Sequence, residues 1–124
     1  AGNLALCPPA LAQHAALAAF TEESYAEADE RVRGYAAARD LLLQRVPALG
    51  WSVAPPDGAF YLYADVGTDD SVGWCAGLLA ETGVALTPGT DFDPVDGDRW
   101  VRLSFAAGEA AVDEALDRIE AWQR

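Results

Sequence analysis

The sequence predicts an α+β domain built as a small, mostly antiparallel sheet with helices packed on one face. Three observations carry this. Residues 22–46 and 109–122 repeat their apolar side chains at helical spacing, and residues 59–64 and 100–105 are short β-prone runs. The strands are joined by hairpin-type links rather than long crossovers, which favours antiparallel pairing over a doubly wound sheet.

Each element follows from local chemistry. Residues 8–20 open with Pro8 and Pro9, suited to a first turn, and continue through strong helix formers with Leu11, Leu17 and Phe20. The next helix, 22–46, places Tyr25, Ala28, Val32, Tyr35, Leu42 and Val46 on one stripe and ends before Pro47 and Gly50. Residues 51–54 and 59–64 read as two strands around the Pro55-Pro56-Asp57-Gly58 turn. A helix over 70–82 carries Val72, Cys75, Leu78 and Leu79 inward and stops at Gly83, a natural left-handed cap. Residues 84–87 form a short strand and 88–99 a loop rich in Pro, Gly and Asp. In the strand 100–105, alternation puts Val101, Leu103 and Phe105 on one face and Trp100, Arg102 and Ser104 on the other. The last helix turns Val112, Ala115, Leu116, Ile119 and Trp122 to the core. With helices on one face only, the aromatic residues Trp51, Tyr61, Tyr63 and Trp100 mark the other sheet face as a partner surface.

A chain of 124 residues is the size of one ordinary domain. Its net charge of -12 repels a phosphate backbone or an anionic membrane surface, so nucleic acid and membrane are not expected partners. Cys7 and Cys75 have no second Cys or His at ligand spacing, so no metal site is indicated, and reduced thiols in the cytoplasm are expected. The lack of any Met, the first residue included, points to a piece of a longer protein.

Few residues invite chemistry. His14 has no nucleophile near it in sequence and reads as a helix-face residue, and no phosphate-binding glycine loop occurs. The acidic pairs Glu22, Glu23 and Asp69, Asp70 stand at helix starts, where the helix dipole accounts for them. Arg102 is the exception. An arginine within an apolar strand either reaches water or grips an anion, and its planar fork suits a carboxylate. Position alone leaves both readings open.

Taken in order, Gly58-Ala59-Phe60-Tyr61-Leu62-Tyr63, then Thr82-Gly83-Val84-Ala85-Leu86-Thr87-Pro88-Gly89 with Phe92, then Val101-Arg102-Leu103-Ser104-Phe105-Ala106, resemble the closing third of class I/II aminotransferases of the aspartate aminotransferase type. The opening 3–20 stretch is similar to the segment that follows the cofactor-binding domain there. The resemblance implies a connecting helix at 1–20 and a C-terminal small domain at 21–124. It makes Arg102 the residue that grips the substrate α-carboxylate, sets Phe60 near the mouth of the site, and has Pro88 and Gly89 shape the face toward the cofactor, although a purely structural turn explains these two residues equally well. It further implies pyridoxal 5'-phosphate, amino-acid and 2-oxo-acid substrates, an N-terminal large domain and a homodimeric parent. The family holds its cofactor through a lysine, and this chain has none, so the fragment is expected to be inactive and to bind no cofactor alone. Lyases, decarboxylases and regulators sharing this small domain, or a free-standing binding module, stay open as alternatives.

Overall fold

A computed structural model describes residues 9–124; the predicted contributions of Asn3, Leu4, Cys7 and Pro8 lie outside the described residues. The chain divides into two compact units between Arg33 and Gly34.

The first unit holds α1 (Ala10–Leu17), a 3-10 turn over Ala18–Phe20, and the start of α2 (Glu22–Arg45). The 8–20 helix is thus shorter than expected. Thr21 adopts extended backbone between the two helices, and its Oγ1 accepts the Ser24 N–H at 3.3 Å. Glu27–Arg31 and Glu30–Arg33 pair along the exposed side of α2, and His14 sits on the exposed surface of α1.

The second unit contains the sheet. Its strands β1 (Ser52–Val53), β2 (Tyr61–Asp65), β3 (Thr87–Pro88) and β4 (Trp100–Ser104) run in the spatial order β1-β2-β4-β3, every neighbour antiparallel. One face carries Leu62, Ala64, Val101 and Leu103, which join Phe105 in a buried cluster. Ala38 and Leu42 of α2, Cys75 and Leu78 of α3 (Ser71–Thr82), and Val112, Leu116 and Ile119 of α4 (Glu109–Gln123) join that cluster, as do Val46, Trp51 and Val84. The expected fold, α+β with helices on one face, is the observed one.

Helix ends follow the chemistry read from the residues. Asp70 caps α3 by accepting the Gly73 N–H at 2.8 Å, and Gly83 closes it at φ 75°, its N–H donating to the Leu79 carbonyl. Arg45, at the end of α2, reaches Asp113, Asp117 and Glu120 on α4 at 2.5, 2.7 and 3.4 Å, tying two helices that share no sequence proximity.

Four expectations need correction. The 84–87 strand is displaced to Thr87–Pro88, because only Thr87 and Pro88 find β4 partners, opposite Arg102 and Val101. Trp51 does not belong to the open sheet face: it is 5% exposed and packs edge-on against Trp74, which meets Trp122 in the same way. Val72 and Leu79 are half exposed, leaving Cys75 and Leu78 as the buried apolar side chains of α3. Along α2, Tyr25 and Val32 are exposed, and the buried positions are Ala38 and Leu42.

Candidate functional site

The sheet face away from the core carries Tyr61, Tyr63, Trp100 and Arg102, as period-two alternation requires once Val101 and Leu103 are buried. Tyr63, Arg102 and Thr87 stand in register across three strands. Tyr63 stacks on Trp100 with ring centroids 5.1 Å apart and planes 3° from parallel, an aromatic floor beside the arginine.

Arg102 is half-buried, and its guanidinium carbon lies over the Tyr61 ring at 4.3 Å and over the Phe92 ring at 4.2 Å. It has no carboxylate partner among the described residues. The other seven arginines all do: Arg31, Arg33, Arg39, Arg45, Arg99, Arg118 and Arg124 each sit within 4.0 Å of an Asp or Glu. Acids outnumber bases twenty to eight in this chain, yet Arg102 is flanked by rings instead of a carboxylate. The two rings attract the cation without occupying any of its N–H donors.

Phe92 reaches Arg102 because the loop after β3 is tightly built. The carbonyl of Gly89 accepts the N–H groups of Phe92 and Asp93, both at 2.9 Å, and Asp93 accepts those of Val95 and Asp96. These bonds hold the Asp93 carboxyl below the usual carboxylate range. The Tyr63 hydroxyl donates to the Gly89 carbonyl at 3.5 Å, and burial, helped by the Asp93 charge, pushes that phenol above its ordinary range. Arg99 pairs with Asp65 at 2.7 Å, fixing the far end of the loop to β2.

Phe60, the other residue singled out in the sequence, lies just before β2. The preceding Ala59 takes φ 58°, the one positive φ of a non-glycine among the described residues, and this turns the chain into the strand. The Phe60 ring packs between Tyr35 of α2 at 5.6 Å and Tyr61 at 4.6 Å, and its carbonyl accepts the Phe105 N–H. Tyr61 is therefore the link between Phe60 and Arg102. The sequence places Tyr61 on this face, but neither its contact with Arg102 nor that of Phe92 is an expectation from the residues. For Tyr61 a signal existed, since it shares the Arg102 face two residues out of register; for Phe92 none did, because loop closure sets its position.

A groove of about 270 Å³ between residues 84–86 and α4 contains neither Arg102 nor Phe60. Lysine is absent, so the chain offers no covalent anchor for pyridoxal phosphate. The chemistry available at this face is the capture of a planar anion by a half-buried cation.

The family described as Aminotransferase class I and II matches residues 2–119. The chain is 51% identical over 124 residues to the valine–pyruvate aminotransferase of Mycobacterium tuberculosis, covering 98% of this chain and 32% of that protein. It is 36% identical over 118 residues to the (5-formylfuran-3-yl)methyl phosphate transaminase of Methanocaldococcus jannaschii, covering 95% of this chain and 31% of that protein. The crystal structure of an aminotransferase from Mycobacterium tuberculosis superposes with a TM-score of 0.93 at 50% identity, over 98% of this chain and 32% of that one. The chain thus spans about a third of the length of these relatives.

Proposed function

The chain belongs to the class I and II aminotransferases, and from that premise we propose that it is the C-terminal small domain of a larger aminotransferase, contributing the clamp for the substrate α-carboxylate. Residues 21–124 are the small domain in this reading, and 1–20 the segment that leads into it. The observation that carries the proposal is Arg102: half-buried, flanked by two rings, and alone among the arginines in having no described carboxylate.

Pyridoxal phosphate supplies the electron sink for moving the amino group, and it is held by the part of the parent outside this chain. What this chain does is orient. Two N–H groups of Arg102 donate to the two oxygens of the substrate carboxylate, so the α-carbon is presented in one attitude. The aromatic floor of Tyr63 and Trp100 and the ring of Phe92 exclude water beside the pair, which strengthens the charge-assisted hydrogen bonds. Phe60, held by Tyr35 and Tyr61, borders the entrance. Amino acids and 2-oxo acids share the carboxylate, so one arginine serves both halves of the exchange. The relatives named above are transaminases, which supports amino transfer over the lyase and decarboxylase alternatives. Valine and pyruvate are the first pair to test. A homodimeric parent and a cytoplasmic setting accompany this reading.

The test is a pyridoxal-phosphate absorbance titration of the full-length protein beside the isolated chain, followed by L-valine. The expected outcome is a cofactor band in the full-length protein that shifts on adding valine and returns with pyruvate, and no such band in the isolated chain. A full-length protein that binds no cofactor defeats the proposal.

A further inference from the structure

We propose that Phe92 and Tyr61 are positioning residues for Arg102: their π-faces hold the guanidinium in place while leaving its N–H donors to the ligand. The inference rests on the carboxylate-clamp reading and goes beyond it, because it assigns a role to residues that need not touch the substrate.

Three observations support it. First, the guanidinium carbon lies over both rings at nearly equal distances, 4.3 and 4.2 Å, within the range of a cation–π contact. Second, neither ring belongs to the hydrophobic core. Phe92 is 50% exposed and Tyr61 37% exposed, and both lie outside the buried cluster and the side chains packed against it. Packing within this domain therefore does not account for an aromatic residue at position 92. Third, the Gly89 carbonyl and the Asp93 carboxylate both accept loop N–H groups, so the backbone from which the Phe92 ring projects is fixed next to Arg102.

The physical reason for such a device is the length of the arginine side chain. An ion pair would also fix it, but a carboxylate in the site would occupy the N–H groups and compete with the incoming anion. Rings fix the same cation through its charge and keep every donor free. The clamp is then preorganised, and less rotamer freedom is lost when the ligand arrives.

The experiment uses the full-length holoenzyme and propionate, a carboxylate with no amino group to transfer, titrated by calorimetry. Phe92→Leu keeps an apolar side chain at the position but removes the π-face, so a purely structural role predicts no change in binding. Expected is a rise in the propionate Kd of about fivefold for Phe92→Leu, with Phe92→Tyr near wild type, since a cation–π contact at a partly exposed site is of that order. Arg102→Gln is the control. If Arg102→Gln abolishes binding while Phe92→Leu leaves it unchanged, the positioning role is overturned and the carboxylate clamp stands. Equal weakening by Phe92→Leu and Phe92→Tyr also overturns the positioning role, because ring chemistry is then not what matters. Propionate binding that ignores Arg102→Gln, or no binding to the wild type, sinks the clamp reading and this inference with it.

Discussion

Gly89 and Gly97 touch backbone to backbone. A β-carbon on Gly97 would stand 2.5 Å from the Gly89 carbonyl carbon and 2.6 Å from its oxygen, and one on Gly89 would stand 2.5 Å from the Gly97 oxygen. Only hydrogen fits at either position, and the contact closes the loop that carries Phe92 to Arg102. Because the obstructing atoms are backbone, they cannot swing aside as the end of a side chain would.

Gly97→Ala is therefore expected to destabilise the chain by about 1–3 kcal/mol, the usual cost of forcing atoms into filled space. Gly58→Ala is the comparison, since nothing lies within 4 Å of the added carbon there. Its effect should stay within about 0.5 kcal/mol. Chemical denaturation of the two variants decides the matter; equal midpoints would contradict the close contact.

Arg45 faces three carboxylates on α4, of which Asp113 and Asp117 are one helical turn apart and repel each other. Its side chain is largely covered, and the hydrogen bonds it donates to Asp117 and Asp113 hold the guanidinium pKa above its ordinary value. Arg45→Leu, which keeps the apolar stem, should cost about 1–2 kcal/mol, above the usual exposed pair because one cation serves three partners. The difference from wild type should shrink in 1 M salt, where the screening length falls to about 3 Å. Urea unfolding at low and high salt checks both parts, and a gap that ignores salt would exclude the electrostatic account.

Cys75 is buried, and desolvation, with a smaller contribution from the charge of Asp91, pushes its thiol from 9.0 to about 11. The folded state thus keeps its proton where the unfolded chain has lost it. The resulting stability is fully present below pH 9 and is lost as pH rises toward 11. In a Cys7→Ser background, thermal unfolding measured from pH 8 to 11 should fall more steeply for Cys75 than for Cys75→Ala. At pH 8 the native thiol should also resist iodoacetamide until denaturant is added. Rapid alkylation of the native protein would contradict the burial.

What the residues disclose and what they conceal divides along a physical line. Period-two alternation in 100–105 separates Arg102 from Val101, Leu103 and Phe105 without knowledge of any partner, because sheet faces are set by the pleat. The Gly83 cap is local as well, and it is found where the residues place it. Trp51 misleads because its place in the core depends on Trp74, distant in sequence, and on Trp122, which packs behind Trp74. Strand β3 is shifted for a similar reason: residues 84–87 have β-propensity, but pairing with β4 begins at Thr87. Phe92 over Arg102 is the extreme case, since a contact made by loop closure leaves no periodic trace. In the site, then, the charged residue and the strand aromatics Tyr61, Tyr63 and Trp100 are legible, and the loop ring of Phe92 is not.

The carboxylate clamp makes a prediction that a general structural role for Arg102 does not. Donor amino acid and acceptor 2-oxo acid differ at the α-carbon but share the carboxylate, so loss of the arginine should weaken both by the same factor. Hydrogen bonds to charged groups contribute about 1.5–3 kcal/mol, which corresponds to a rise in KM of about 10- to 100-fold for Arg102→Gln in the full-length enzyme. Arg102→Lys should recover only part of this, because an ammonium cannot present two parallel N–H groups to one carboxylate. Steady-state kinetics with valine varied at fixed pyruvate, then pyruvate varied at fixed valine, gives the two factors. Should one KM rise and the other stay constant, Arg102 would be reading something other than the group the two substrates have in common.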